Sequence, residues 1–252
     1  MTDCILSATN LTRSFGGLVA VNDVSFQVAR HEVFGIVGPN GAGKSTLFDL
    51  IAGVRRPSSG QIQAFGRRIE KLAVHERCWL GIGRTFQTSQ MFPEHSVVES
   101  LMSVRAAAHR GVGGWLRPVG DPADDPKVAE MLEFTGLAGL EDALPAELTN
   151  LQQQKLAIGL ALATGPQLLL LDEPSGGLIE AEVAELMRFI ADIRGQGVTI
   201  VLIDHKMRLM MELSDRIMVM AAGRVIALGT PREVAADKHV QEAYLGHPAE
   251  PR

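Results

Sequence analysis

The chain has few cysteines and no hydrophobic stretch long enough to cross a bilayer. Its two cysteines, Cys4 and Cys78, show no pairing pattern, which is typical of a protein from a reducing cytosol. The longest apolar stretches, at 168–171 and 198–203, are far shorter than the ~20 residues that a spanning helix needs. The first residues lack a basic segment followed by a long apolar one, so we expect no signal peptide.

The chain also lacks an excess of positive charge. Its 24 basic and 29 acidic side chains give a net charge of −5, which argues against a general affinity for nucleic acid or anionic lipid. Charged residues make up 21% and hydrophobic residues 46% of the chain, a composition that excludes global disorder. Glycine, by contrast, is abundant: its 26 residues among 252 are about 10% of the chain, against a usual share of about 7%. Several of these glycines are clustered, and the clusters guide the functional interpretation.

Short strand patterns alternate with helical patterns, which predicts an α/β domain with a parallel sheet. Strands are expected at 24–28, 33–37, 61–65, 82–86, 167–171, 198–203, 216–220 and 224–228. Helices are expected at 45–52, 97–110, 127–134 and 150–163. We interpret residues 1–252 as one domain, in which 1–87 and 165–252 form the α/β core. Residues 88–164 then form an inserted helical subdomain, with a glycine- and proline-rich loop at 111–126.

A phosphate-binding motif follows the apolar run at 33–37. It fits the pattern G-x-x-x-x-G-K-[ST] in full and comprises Gly38, Pro39, Asn40, Gly41, Ala42, Gly43, Lys44 and Ser45. Glycines let successive backbone N–H groups point at phosphate oxygens, and the helix that follows adds positive potential at its N-terminus. We expect Lys44 to bridge the β- and γ-phosphates, Ser45 to bind Mg²⁺ and Thr46 to complete the nucleotide-binding segment. A purely structural glycine turn is the alternative.

Two acidic residues follow the leucine run at 168–171. In an open parallel sheet, ligands bind at the carboxyl ends of the strands, where Asp172 and Glu173 would lie. We expect Asp172 to hold Mg²⁺ and Glu173 to orient or deprotonate the attacking water. The alternative is that both carboxylates only terminate a strand. A GTPase is disfavoured because the chain has no Asn-Lys-x-Asp motif.

The order of these motifs resembles that of the ATP-binding-cassette (ABC) ATPases over nearly the whole chain. The resemblance implies ATP as nucleotide and a P-loop NTPase core with a parallel sheet, an antiparallel β-subdomain and an inserted helical subdomain. It implies that Phe15 stacks on adenine, that Gln87 contacts Mg²⁺ or water, and that His205 contacts the γ-phosphate. Gln87 and His205 thereby join Lys44 and Glu173 as candidate catalytic residues. The alternatives are a core position for Phe15 and structural roles for Gln87 and His205.

The signature segment departs from the family pattern. Members carry Leu-Ser-Gly-Gly-Gln, which contacts the nucleotide of the opposite subunit, and the segment here is Leu148-Thr149-Asn150-Leu151-Gln152. Thr149 and Gln152 remain candidate nucleotide contacts, with Thr149 suited to an N-cap. We expect the Leu151 side chain to obstruct close approach of the backbone. Ile179 also stands where the family has Asp or Asn, so the surface offered to a partner is interpreted as degraded.

Within the family, the chain is most similar to ATPases of branched-chain (hydrophobic) amino-acid importers. The similarity is carried by residues 15–26, 83–87, 229–234 and 243–246. It implies a peripheral subunit on the cytoplasmic face of the inner membrane, which works with transmembrane permease subunits and indirectly with a substrate-binding protein. A second ABC ATPase subunit is also implied, either a different chain or another copy of this one.

The sequence leaves two alternatives to this interpretation. One is an ATP-gated, weakly hydrolysing cassette of a heteromeric transporter for urea, lipid or lipopolysaccharide. The other is a soluble ABC protein acting on nucleic acid or ribosomes. The second is disfavoured because the chain is acidic and shows neither a second cassette nor a long coiled coil.

Overall fold

The computed structural model describes residues 3–85, 92–110 and 125–245, with only the backbone described at 109–110 and 243–245. The strands in these ranges are β1 (Cys4–Phe15), β2 (Leu18–Ala29), β3 (Val33–Val37), β4 (Ser59–Ala64), β5 (Arg67–Arg68), β6 (Ile82–Arg84), β7 (Leu168–Asp172), β8 (Thr199–Ile203), β9 (Arg216–Ala221) and β10 (Arg224–Gly229). The helices there are α1 (Lys44–Ala52), α2 (Val74–Trp79), α3 (Val97–Arg110), α4 (Pro126–Thr135), α5 (Asn150–Leu162), α6 (Glu180–Gly195), α7 (Met207–Leu213), α8 (Pro231–Ala236) and α9 (Lys238–Leu245). Among the described residues, no helix combines the length and the apolar character that crossing a bilayer requires.

The expected strands and helices are found, and most of their ends lie within two residues of the prediction. The strand expected at 24–28 is longer and begins at Leu18, and the strand expected at 82–86 ends at Arg84. Most of the loop expected at 111–126 lies outside the described residues. The sequence patterns did not identify β1, β5, α2 or the helices α6 to α9.

The strands form two sheets. One has six strands in the order β10-β9-β3-β8-β7-β6, in which β10 is antiparallel to β9 and the other pairs are parallel. The other has four antiparallel strands in the order β2-β1-β4-β5. The expected fold class, an α/β core with a parallel sheet and an antiparallel β-subdomain, is confirmed.

The central strands are apolar throughout because both faces of the six-stranded sheet are covered. Leu168 and Leu170 of β7 join the hydrophobic cluster that contains α1 and the antiparallel sheet. Leu169 and Leu171 join the opposite cluster, which contains α5, α6 and α7. Alternation along a strand thus places successive leucines in two different layers.

The helices α3, α4 and α5 share a third hydrophobic cluster. Leu101, Leu132 and Leu156 are buried in it, one from each helix. Gly159 of α5 lies against Thr135 of α4, where a Cβ atom would be 2.8 Å from the threonine methyl group. The absence of a side chain at Gly159 therefore permits the close approach of the two helices.

A buried arginine caps the C-terminal end of α1. Nη1 of Arg77 donates to the carbonyl oxygens of Leu50 (2.6 Å) and Ile51 (2.7 Å), and Nε donates to that of Leu72 (3.1 Å). Burial lowers the pKa of Arg77 to about 10, so its guanidinium stays charged at neutral pH. A cation at a helix C-terminus is favourable, and these contacts connect α2 to the helix that follows the phosphate loop.

Replacing this guanidinium should weaken the fold measurably. We expect Arg77→Met to lower the free energy of unfolding by about 2 to 4 kcal/mol, because two buried carbonyl groups and one partly buried carbonyl group lose their donor. Urea denaturation followed by circular dichroism measures this change. Arg67→Met, at an exposed position on β5, is the control and should change stability little. A loss under about 1 kcal/mol for Arg77→Met would contradict the capping role.

Candidate functional site

The candidate site lies at the carboxyl-terminal edge of the six-stranded sheet, where β3, β8 and β7 end side by side. In the parallel pairing, Ile36 of β3 and Asp172 of β7 both lie beside Ile203 of β8. The phosphate loop follows β3, and His205 lies two residues after the end of β8. The register therefore brings three separately expected motifs to one edge, the position at which such sheets bind ligands.

The phosphate loop leads directly from β3 into α1, and two of its glycines are required by close backbone contacts. Gly43 is the N-cap of α1 with a φ of +98°, and a Cβ atom there would collide with the carbonyl oxygen of Ala20. A Cβ atom on Gly38 would collide with the carbonyl oxygen of Met220. The exposed loop residues are Pro39, Asn40, Gly41 and Ser45, whereas Ala42 is buried and Thr46 is half-buried. The first turn of α1, which favours anions, thus opens from an exposed loop.

The Lys44 side chain folds back over this loop. Its Nζ donates to the carbonyl oxygens of Gly38 (2.8 Å) and Pro39 (3.0 Å). Burial lowers the pKa of Lys44, and the nearby charges of Glu173 and Asp172 oppose that shift. The ammonium group is thus held within the loop that would receive the phosphates, close to the two carboxylates at the end of β7.

Asp172 ends β7 with its carboxylate paired to Arg84. Nη2 of Arg84 donates to Oδ2 of Asp172 at 3.2 Å. Burial raises the pKa of Asp172, and the positive charge of Arg84 opposes this effect. Ser45 presents a hydroxyl at the same edge, in the first turn of α1. Mg²⁺ is usually bound by one or two carboxylates together with phosphate oxygens and waters, so Asp172 and Ser45 fit a magnesium ion that arrives with a nucleotide.

Glu173 has an uncommon backbone conformation. Its φ is +51°, a left-handed value that costs energy for any residue except glycine and that concentrates at functional sites. Its backbone N–H donates to the carbonyl oxygen of Ile203 at 2.8 Å. Its side chain is 43% exposed, and Oε1 lies 3.4 Å from Nδ1 of His205. The strained turn thus places a solvent-accessible carboxylate beside the histidine that follows β8.

A buried carboxylate connects the loops that carry Glu173 and His205. Asp204 is 2% exposed and accepts hydrogen bonds from the backbone N–H (3.0 Å) and hydroxyl (2.7 Å) of Ser175. It also accepts one from the backbone N–H of Lys206 at 2.9 Å. Neither Asp204 nor Ser175 was among the residues predicted for the site. The detectable signal was an acidic residue directly after an apolar strand, the same signal that identified Asp172.

Phe15 lies at the end of β1 and is half-buried. The Cζ atoms of Arg13 and Arg55 lie 4.6 Å and 5.1 Å from the centroid of its ring. Phe15 lies outside the hydrophobic clusters that the described residues form, so the alternative of a core position is wrong. An aromatic ring at the margin of the fold, flanked by guanidinium groups, has the chemistry to stack on a base.

Thr149 is the N-cap of α5, as its residue type suggested. Its hydroxyl accepts from the backbone N–H of Gln152 at 3.3 Å, and the Gln152 side chain accepts from the backbone N–H of Thr149 at 2.9 Å. This reciprocal pair is a capping box, which satisfies two N–H groups at the helix start. Both candidate nucleotide contacts therefore have a structural role within this chain as well.

The Leu151 side chain does not obstruct the surface of α5, so that expectation was wrong. Leu151 is 8% exposed and packs with Leu178 and Ile158, because its position on α5 faces the core. Asn150 is exposed, and its Nδ2 donates to the carbonyl oxygen of Gly177 at 3.4 Å. Ile179 is 67% exposed at the N-cap of α6, where it offers no side-chain cap. The departures that remain at the surface are therefore Asn150 and Ile179.

Gln87 lies outside the described residues, so its expected contact with Mg²⁺ or water stays a prediction. The two residues before Phe86 are described, and both contact Asp172. Arg84 binds its carboxylate, and the hydroxyl of Thr85 accepts from its backbone N–H at 3.3 Å. Neither residue was predicted to have a role in the site, although both belong to the segment 83–87 that resembles the family.

Comparisons with known proteins agree with this geometry. A family model described as ABC transporter matches residues 21–176, and one described as Branched-chain amino acid ATP-binding cassette transporter matches residues 224–250. The high-affinity branched-chain amino acid transport ATP-binding proteins LivG of Salmonella typhimurium and BraF of Pseudomonas aeruginosa are 35% and 36% identical, covering 98% of this chain and 99% of theirs. The lipopolysaccharide export system ATP-binding protein LptB of Haemophilus influenzae is 33% identical over 96% of this chain and 97% of its own.

Solved structures of ABC cassettes share the fold. A crystal structure described as the ADP conformation of an ATP-binding cassette of an ABC transporter has a TM-score of 0.86 and 29% identity, covering 98% of this chain and 100% of that one. A cassette from Clostridium perfringens, described as part of an ABC transporter complex, has a TM-score of 0.80 and 31% identity, covering 98% and 96%. The chain therefore belongs to the ABC transporter family, as an ATP-binding and ATP-hydrolysing cassette homologous to branched-chain amino acid transport ATPases.

Proposed function

We propose that this chain hydrolyses ATP to power the uptake of branched-chain or other hydrophobic amino acids through separate permease subunits. The observation that carries the proposal is the meeting of the Lys44 loop, the Asp172–Glu173 pair and His205 at one sheet edge. The match at 224–250 and the names of LivG and BraF support the substrate class. The chain would act as a peripheral subunit on the cytoplasmic face of the inner membrane, with a substrate-binding protein acting indirectly through the permease.

The chemistry follows from positioning and electrostatics. The phosphate loop and Lys44 would hold the triphosphate, while Ser45, Asp172 and Gln87 would hold Mg²⁺, which supplies charge neutralisation for the phosphoryl group. Glu173 would orient or deprotonate the attacking water, since its carboxylate is exposed and lies at the end of β7. His205, next to Glu173, would contact the γ-phosphate. Phe15 would stack on adenine, with Arg55 beside it.

We propose a second ABC cassette as partner, since the signature segment acts on the nucleotide of an opposite subunit. Residues 1–87 and 165–252 would bind this chain's nucleotide, and the subdomain at 88–164 would present Thr149 and Gln152 to the partner's. Asn150 and the exposed Ile179 favour a different chain as partner over a second copy. In such a pair, the composite site built on Lys44 and Glu173 would carry most of the turnover.

The second candidate function is a weakly hydrolysing cassette of a transporter for another substrate, such as urea, lipid or lipopolysaccharide. The observations in its favour are the exposed Asn150 and Ile179 and the similarity to LptB. Retention of the complete Lys44 loop and of Glu173 in a strained, solvent-accessible position favours the hydrolysing cassette.

An apolar groove would receive the membrane partner. It lies next to the nucleotide edge, by which we mean the carboxyl-terminal edge of the six-stranded sheet with the Lys44 loop, Asp172, Glu173 and His205. It has a volume of about 390 Å³ and lies between α2, β6, α3 and α5, with Val74, Phe92, Val104, Ala157 and Leu160 in its lining. Val74 and Phe92 are 41% and 39% exposed, so the groove presents apolar side chains that a partner could cover. Arg84 also lines this groove and would connect the membrane partner to Asp172.

Loss of the Glu173 carboxylate should remove most of the turnover. In the assembled transporter, we expect Glu173→Gln to lower the rate of ATP hydrolysis by about 10²- to 10⁴-fold, because the general base is lost while the shape is kept. The affinity for ATP should stay within a factor of about 3, which filter binding with radioactive ATP measures. Glu130→Gln, at an exposed position on α4, is the matched control. Turnover above a tenth of the unsubstituted rate would show that the other composite site does the work.

A charge placed in the groove should weaken the attachment to the permease subunits. We expect Val74→Asp to reduce co-purification with the permease subunits by about tenfold, because a charge would be buried against an apolar partner. ATP binding by the purified chain should not change. Leu228→Asp on β10 is the control, since Leu228 is also 41% exposed but lies outside the groove lining. Equal loss for both variants would mean that the groove has no special role.

A further inference from the structure

Arg84 holds together two acidic side chains at the nucleotide edge. Its Nη1 donates to Oδ1 of Asp49 at 2.8 Å, and its Nη2 donates to Oδ2 of Asp172 at 3.2 Å. The side chains of Arg84, Asp49 and Asp172 are only 13%, 21% and 24% exposed. Ion pairs at such depth are screened less than surface pairs, so the fork of Arg84 fixes the direction of both carboxylates.

The backbone around Arg84 holds the same acidic residue. Arg84 is the last residue of β6 and lies beside Leu170 of β7. The next residue, Thr85, donates its backbone N–H to the carbonyl oxygen of Leu170 at 3.0 Å and accepts from the backbone N–H of Asp172. Two consecutive residues therefore bind Asp172: Arg84 binds its carboxylate, and Thr85 binds its backbone N–H.

Asp49 connects Arg84 to α1 and, through Arg55, to Phe15. It lies four residues after Ser45 on α1, so the two side chains share one face of the helix. Its Oδ2 accepts from Nε of Arg55 at 3.0 Å, and Arg55 lies over the ring of Phe15. A continuous set of contacts, one cation–π contact and three ion pairs, thus runs from Phe15 through Arg55, Asp49 and Arg84 to Asp172.

We propose that Arg84 is a positioning residue for ATP hydrolysis: it orients the Asp172 carboxylate, and Asp49 anchors Arg84 for that purpose. The proposal rests on the proposed role of Asp172 as the magnesium carboxylate. Groups that orient a metal-binding side chain typically change metal affinity by 10- to 100-fold when they are removed. The affinity of the loop for the nucleotide without metal depends on Lys44 and the loop backbone, so a positioning role of Arg84 predicts an effect on binding that requires Mg²⁺.

The test measures ATP binding by calorimetry in Mg²⁺ and in EDTA, in the Glu173→Gln background so that ATP is not consumed. We expect Arg84→Gln to weaken binding in Mg²⁺ by about tenfold and to leave binding in EDTA within about twofold. Arg84→Lys keeps the charge but loses the fork, and it should recover part of the Mg²⁺-dependent affinity. Asp49→Asn should shift binding in the same direction, and the combination with Arg84→Gln should be less than additive.

The control is Arg105→Gln on α3, since Arg105 is 17% exposed and pairs with Asp125 at 2.8 Å. It loses a comparable ion pair, between α3 and the N-cap of α4, and should leave both affinities unchanged. Equal weakening of Arg84→Gln in Mg²⁺ and EDTA, or no weakening in Mg²⁺, would overturn the proposal. If the parent chain itself shows no advantage of Mg²⁺ over EDTA, the proposed role of Asp172 fails first, which separates the two failures.

Discussion

The parallel register of β3, β8 and β7 is the constraint on which the rest of the structure depends. Both faces of these strands are buried, and a slip of one residue would exchange the layers that their side chains enter. Such a slip would also displace each strand end by about 3.3 Å, more than a hydrogen bond tolerates. Packing of the strands fixes the register. The site therefore does not depend on its own contacts to bring together the Lys44 loop, Asp172 and the segment ending in His205.

Polar contacts then set the local geometry that packing alone leaves open. Asp204 binds Ser175 and so connects the loops after β8 and β7. Arg84 and Thr85 hold Asp172, and the left-handed backbone at Glu173 directs its carboxylate toward His205. The groups that hold Asp172 and Ser175 are buried or half-buried and bond to one another, so they stiffen the edge in a single arrangement. A rigid, pre-arranged site is what catalysis by positioning and charge requires.

Local features could be predicted from the sequence, and features set by distant packing could not. The phosphate loop and Asp172 belong to short motifs that follow apolar strands, so their place was predictable. The alternation of buried and exposed side chains in β1 breaks at a bulge near Asn10, which has a positive φ. The strand was therefore not recognised from a period-two pattern. Leu151 was misjudged because its direction depends on how α5 packs on the core. The contacts of Arg84 join β6 to α1 and β7, and no spacing of residues along the chain predicts them.

The most direct test of the account is a crystal structure of the Glu173→Gln chain with Mg·ATP. The account predicts the triphosphate on the loop 38–45, its γ-phosphate facing Lys44 and His205, with the metal next to Ser45 and on the side of Asp172. Adenine should lie against Phe15. A triphosphate bound away from this edge, or a metal held without Ser45 and Asp172, would contradict the central claim that the strand register assembles one hydrolytic site.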